Sequence, residues 1–368
     1  MNDLSIAQAL PNLRIARFRQ EIDAAVASVL GGAHYILGAP VERFEAAFAA
    51  HEGREHAVGV GSGTDALALA LRALGVGPGD EVVTAALTFA GTAQAILHCG
   101  ARPLFADVDP HTWCITAETV EAVLTPSTRA ILPVHLFGFP ADMAALCAFA
   151  AHRGLAVVSD CAQAHGARIG PRPLGSFGDA AAYSFYPTKN LGCVGDGGAV
   201  LVDDPVLAGR LRALREYGFS HGTRISREAG FNSRLDTLQA AILSALLPHL
   251  DAGNRERRAI AGRYRAALAG LNGLRLQDEH PGGVSHQFAV AVPNRGELAM
   301  RLADEGIRTA IHYHPGLHRH PAFADPKAVP LPVSDRLSAS LLSLPIQPEV
   351  AGAEVERIAS AVREAYVR

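Results

Sequence analysis

One lysine, Lys189, stands between a run of small and apolar residues at 180–185 and a glycine-dense return at 190–198. The run reads as a strand buried on both faces, so the lysine lies just past the end of a buried element. Lysines are ordinarily solvated surface charges. Here partial desolvation would disfavour the charged amine, lower its pKa and make it a nucleophile for a carbonyl. The hydroxyls of Ser184 and Thr188 lie close by in sequence, and such groups commonly hold a phosphate at the end of a strand or helix. A phosphorylated aldehyde bound to the lysine as a Schiff base satisfies both features, which points to pyridoxal phosphate.

A second group surrounds Gly63 and Thr64. The run 57–60 stops at a glycine-rich turn and opens a helix through Leu71. Unpaired backbone N–H groups and a positive helix end then converge on one place, a ready anion site. Ser62 and Thr64 read equally well as simple N-caps. No GK[ST] follows and GxGxxG is absent, so a single phosphate fits better than a dinucleotide. Phe89 follows the apolar run 82–86, at the strand end where open α/β sheets bind ligands. Its ring could stack on a heteroaromatic cofactor or simply pack in the core. Asp160 closes the run 155–160, and Gln163 follows it by three residues, so one turn of helix would put both on one side. A carboxylate against a pyridine nitrogen keeps that nitrogen protonated, and the ring can then accept electrons from a carbanion. Gln163 could hold the ring's phenolic oxygen.

The elements that would position these groups follow from periodicity. Helical spacing marks 18–30 and 41–50, with the loop 31–38 between them, where Tyr35 is a candidate substrate contact. Apolar runs at 104–109, 130–138 and 155–160 alternate with helical stretches, the signature of an α/β fold with a mostly parallel sheet wrapped by helices. Beyond 201 the chain turns to charged helix at 207–217, a polar loop at 220–230 and a long helix at 238–268 with a break near Pro248. The runs 283–293 and 307–312 read as strands of a smaller domain, whose last helix spans 351–366. The expected division is 1–245 and 246–368. Four histidines crowd 312–320, but Pro315, Gly316 and Pro321 make an irregular loop there, so substrate contact is favoured over a metal site.

The chain has 368 residues, enough for two domains, and a net charge of −3 that gives no basic field for nucleic acid or an anionic membrane. Five cysteines without a CxxC pair argue against a disulfide framework and a zinc site, and for a reducing cytoplasm. The first five residues lack the basic and apolar regions of a signal peptide, and the longest apolar stretch, 56–77, is broken by Asp65, Arg72 and glycines.

Assembled in order, these segments resemble the DegT/DnrJ/EryC1/StrS family of sugar aminotransferases over nearly the whole chain. The resemblance rests on SGTDAL at 62–67, PGDE at 78–81, TF at 88–89, VHLFG at 134–138 and DCAQAHG at 160–166. It continues in SFYPTKNL at 184–191, GDGG at 195–198, GFNSRLD at 230–236, HY at 312–313 and LSLP at 342–345. It implies a type I pyridoxal phosphate fold, dimeric, with active sites at the subunit boundary. Lys189 matches the Schiff-base lysine, Asp160 the partner of the pyridine nitrogen, Gln163 the group beside the ring oxygen and Phe89 the stacking residue. Gly63, Thr64 and Ser184 match the phosphate cradle. Asn232 matches a residue reaching the phosphate from the neighbouring subunit, known here from the resemblance alone.

Some family members carry a histidine at the lysine position and act as dehydratases, which Lys189 speaks against. The implied reaction is a ping-pong transamination from L-glutamate to a nucleotide-linked keto-deoxysugar. Arg224 and Arg227, with Arg234 and the loop holding His312 and Tyr313, offer positive and polar groups for a diphosphate. Gln163 and the His312-Tyr313 pair look most like the branch that aminates carbon 3 of dTDP-3-keto-6-deoxyhexoses. The 4-keto (perosamine-type) and scyllo-inosose aminotransferases remain alternatives, as does a pyridoxal phosphate-binding regulator without catalysis.

Overall fold

A computed structural model describes residues 6–220, 222–325, 329–350 and 352–367. The first five residues, where no signal peptide was expected, and residue 351, the expected start of the last helix, lie outside them.

Three helices open the chain: α1 (Pro11–Arg17), α2 (Arg19–Leu30) and α3 (Ala39–Glu52). Then β1 (His56–Val60), α4 (Gly63–Ala73), β2 (Glu81–Ala85), α5 (Ala90–His98), β3 (Arg102–Ala106), α6 (Ala117–Glu121), β4 (Thr128–Leu132), α7 (Met143–Arg153) and β5 (Ala156–Asp160) alternate strand with helix. A two-residue hairpin, β6 (Arg168–Ile169) and β7 (Arg172–Pro173), precedes β8 (Ala180–Ser184) and β9 (Gly198–Val202). The seven-stranded sheet has the order β1-β9-β8-β5-β4-β2-β3, and only β9 pairs antiparallel with its neighbours. Helices on both faces bury it, which is why β2 and β9 are buried at every position and β9 reads as an unbroken apolar run.

The parallel strands end on one edge, and their carboxyl ends deliver Gly61, Ala86, Asp160 and Ser184 to the same region. Helix α8 (Pro205–Leu214) stops short of the expected 217, because Tyr217 and Gly218 take left-handed backbone conformations, φ 60° and 73°. Next, α9 (Thr237–Leu246) and α10 (Leu250–Leu268) are joined by a 3₁₀ turn at Pro248, where the missing N–H interrupts the helix.

A second apolar cluster, with Tyr264, Leu268, Val290, Leu302, Leu344 and Ile358, surrounds a three-stranded antiparallel sheet. Its strands are β10 (Arg275–Leu276), β11 (Phe288–Ala291) and β12 (Leu341–Leu344), covered by α11 (Arg295–Asp304), α12 (Pro332–Ser340) and α13 (Gly352–Val367). The expected strand at 307–312 is not one. Ile307 and Ala310 each make a single bridge, and the place beside β11 belongs to β12. The backbone of the segment touches the sheet only at Ala310, paired with Ser343 of β12; beyond it the His312 ring reaches the Ser343 hydroxyl and Tyr313 turns to Gln163.

Candidate active site

Lys189 follows β8 by five residues and is half-buried. Burial pushes its amine down to about 8, a shift that the nearby Asp160 carboxylate partly opposes. Asp160, the last residue of β5, is 5% exposed. Its Oδ1 accepts from the Ala162 N–H at 3.1 Å and its Oδ2 from the Thr92 hydroxyl at 3.0 Å. Burial raises the carboxyl pKa, while those two bonds and Lys189 pull it back. An acid at a buried strand end, with both oxygens already oriented, is suited to face one cationic or protonated ring atom.

Gln163 is not on a helix with Asp160. Residues 161–164 form a tight turn, closed by the Ala164 N–H to the Cys161 carbonyl at 2.9 Å, and the Asp160 side chain accepts the Ala162 N–H as it would at the start of a helix. The turn still aims Gln163 inward. Its Oε1 accepts the Phe137 N–H at 2.6 Å and its amide donates to the Tyr313 hydroxyl at 3.0 Å. Phe137 is held at φ 62°, a left-handed conformation costly for an aromatic residue, and that hydrogen bond helps retain it. Burial raises the Tyr313 hydroxyl pKa, so it stays neutral and able to donate.

The anion end lies at the start of α4. Ser62 caps the helix through the Asp65 N–H at 3.1 Å, leaving the N–H groups of Gly63 and Thr64 for a ligand. A Cβ on Gly63 would lie 2.5 Å from the Cβ of Ser184, so glycine is what lets the two segments meet. A Cβ on Gly91 would lie 2.7 Å from the Thr64 hydroxyl and 3.1 Å from the Phe89 ring. Phe89 is 57% exposed at the N-terminus of α5, with Tyr313 5.8 Å away, centroid to centroid. An aromatic face left open beside a buried carboxylate is a stacking platform more than a core residue. These residues fit pyridoxal phosphate: Lys189 for its aldehyde carbon, Asp160 for the ring nitrogen, Gln163 for the ring oxygen, Phe89 for one face, and Gly63, Thr64 and Ser184 for the phosphate.

His312 accompanies Tyr313, its Nδ1 2.9 Å from the Ser343 hydroxyl, and burial together with Lys189 pushes its pKa down to about 4. The other histidines of the tract have partners too: His314 with Ser338, His318 with Asp335 and His320 with the Pro315 carbonyl. Among the described residues no group of three or more His, Cys, Asp or Glu is placed to hold a metal ion. Nor is any described helix long and apolar enough to cross a membrane.

Three candidates lie apart from this cluster in the single chain. Tyr35 is 53% exposed and donates to the carbonyl of Gly32 at 3.2 Å. Arg224 is exposed and lines an open cleft with Leu37, Tyr217 and Arg234. Asn232 is exposed, although its neighbour Ser233 bonds both the Gly61 N–H and Asp65.

The sequence reading missed Thr92, whose only signal is its place one turn after Thr88 on α5, and the hydroxyls of the two are 3.1 Å apart. It also missed Asn190 with His286 and Asn254, which meet behind Lys189 from positions 64 and 96 residues away and carry no local pattern.

Comparison with known proteins shows the family of the chain. The chain is 48% identical over 356 residues to the dTDP-3-amino-3,4,6-trideoxy-alpha-D-glucose transaminase of Streptomyces venezuelae, covering 94% of this chain and 92% of that one. It is 46% identical over 351 residues to a UDP-N-acetyl-3-dehydro-alpha-D-glucosamine 3-aminotransferase of Acidithiobacillus ferrooxidans, covering 95% and 94%. The crystal structure of S. venezuelae DesV in complex with a ketimine intermediate superposes with a TM-score of 0.96 at 45% identity, over 99% of each chain. Residues 16–363 match the family model, and the chain belongs to the DegT/DnrJ/EryC1/StrS aminotransferase family.

Proposed function

We propose that the protein transfers an amino group from L-glutamate to carbon 3 of a nucleotide-linked 3-keto-6-deoxyhexose, with pyridoxal phosphate held on Lys189. The observation that carries this is the pair Lys189 and Asp160: an amine brought to about 8 beside a buried, hydrogen-bonded carboxylate. Bound there, pyridoxal phosphate supplies an electron sink for the carbon that loses its proton and carries the amino group between substrates. Lys189 binds the cofactor carbon and, once displaced by the donor, takes and returns the proton as general base and acid. Asp160 keeps the ring nitrogen protonated, and Thr92 fixes the carboxylate that does so. The names of both relatives place the nitrogen at carbon 3, which supports that position here.

In this reading the enzyme is a homodimer with shared sites. Tyr35, Ile36, Tyr186, Val194, Tyr217 and Ile225 are exposed apolar side chains that a second copy could cover. A partner seated on them would bring Asn232 to the phosphate and Tyr35 and Arg224 to the sugar. All five cysteines are free, which supports a reducing cytoplasm as the place of reaction.

The test loads the protein with pyridoxamine phosphate and follows visible absorbance on adding a dTDP-3-keto-6-deoxyhexose, its 4-keto isomer or scyllo-inosose. Return of the coloured form with the 3-keto sugar alone supports the proposal. Return with another acceptor moves the substrate, and no return with any of the three favours a regulator.

A further inference from the structure

The loop carrying Lys189 is held from behind by Arg14, 175 positions earlier in the chain. Residues 186–192 belong to neither strand nor helix, so their carbonyls need partners from elsewhere. Inside the loop the Lys189 N–H reaches the Tyr186 carbonyl at 2.9 Å, and the Cys193 N–H reaches Phe185 at 2.8 Å. Arg14 on α1 satisfies the inward carbonyls. Its Nη1 donates to Lys189 at 2.7 Å and to Asn190 at 3.4 Å, and its Nη2 to Pro187 at 2.6 Å and Gly192 at 3.0 Å. Gly192 leaves the room, since a Cβ there would lie 2.8 Å from Arg14 Nη2. Only a planar fork of donors can gather four carbonyls from one side, and a lysine ammonium cannot.

We propose that Arg14 is a positioning residue for the reaction: by drawing the carbonyls of Pro187, Lys189, Asn190 and Gly192 onto one guanidinium, it fixes where the Lys189 amine stands relative to Asp160. The proposal rests on the assignment of Lys189 as the cofactor-binding amine. A separate tether keeps the loop in place. The Asn190 amide donates to Asn254 Oδ1 at 2.8 Å and to the Val284 carbonyl at 3.2 Å, and its oxygen meets His286 Nδ1 at 3.0 Å. Removing Arg14 therefore loosens the loop without detaching it.

The experiment compares wild type with R14A and R14K. In the protein without cofactor, amide hydrogen exchange over 186–193 should rise about tenfold or more in R14A, with β1 and β5 unchanged. In the loaded enzyme kcat should fall about 100-fold with KM within threefold, since a misplacement near 1 Å costs that much. R14K should stay close to R14A, and added guanidinium ion should restore part of the R14A rate. Unchanged loop exchange, an unchanged kcat per folded molecule, or an R14K equal to wild type overturns the proposal. The K189A variant separates the two readings. If K189A still forms the coloured linkage with pyridoxal phosphate, the assignment of Lys189 fails, whatever Arg14 does.

Discussion

Around Asp160 the polar groups are satisfied by their own chain, whereas around Arg224 they face outward. Asp160 is bonded by Thr92, and Gln163 by Tyr313, so β5, α5, the following turn and the segment before α12 each supply a partner. Arg224, Tyr35 and Asn232 are exposed, beside exposed apolar side chains. The cofactor end is therefore preorganised within one chain, as electrostatic catalysis requires. On the proposed function, a second chain and the sugar would complete the substrate end.

Predictions that break or sharpen this contrast run from large to small. Lys189→Ala should lower turnover by about 10⁵-fold or more, because nucleophile and proton carrier vanish together; single-turnover absorbance measures it, and full activity would falsify the assignment. Asp160→Asn should lower kcat by about 10³-fold while the protein still binds pyridoxal phosphate, as the anchors at Gly63, Thr64 and Ser184 are untouched. The same variant has a pH signature. In the cofactor-free wild type, the rate of linkage with added aldehyde should rise with pH through an inflection near 8. Asp160 raises the amine's pKa, so removing its charge should move the inflection below that value. At the open end, Asn232→Ala and Arg224→Ala should each raise KM for the sugar or the cofactor Kd about tenfold with smaller changes in kcat. Sedimentation separates loss of the dimer from loss of a contact.

A stability test reads the preorganised region alone. His135 is fully buried, its Nδ1 accepting the Ala141 N–H at 3.0 Å and its Nε2 2.7 Å from the Ser159 hydroxyl, and burial pushes its pKa down to about 3. His165, pushed to about 3, and His312, to about 4, are likewise held neutral. A histidine whose folded pKa lies below its unfolded value near 6.5 stabilises the fold above pH 6.5, and that contribution is lost as pH falls toward the folded value. At pH 5 the loss is about 2 kcal/mol for one such residue. Denaturant midpoints should therefore drop from pH 7 to 5, and His135→Gln should flatten the slope; an unchanged slope would contradict the neutral burial of His135.

Much of the cofactor end was legible because its residues sit where an element changes. Lys189 follows a buried strand, Asp160 ends one, and Gly63 and Thr64 open a helix, so a periodicity that stops at a polar residue marks each. Gln163 was found for a mistaken reason, since a turn and not a helix aims it. The segment at 307–312 misled because a short partly apolar run cannot show whether a chain pairs along its length or, as here, only at the single bridges of Ile307 and Ala310. Arg14, Thr92, Asn190 and His286 were illegible as a group, because their partners are distant in sequence or are main-chain carbonyls.

By itself the sequence determined the alternating strands and helices, the lysine past a buried strand, the acid closing another and the glycine turn for an anion. These are local consequences of period, turn chemistry and burial. The tertiary structure alone decided that β9 runs against its neighbours, that β12 takes the place beside β11, and that Gln163 meets Tyr313. It also decided that one arginine near residue 14 grips the loop around 189. Such contacts join residues many positions apart, and their existence depends on the packing of whole elements, which no local pattern encodes.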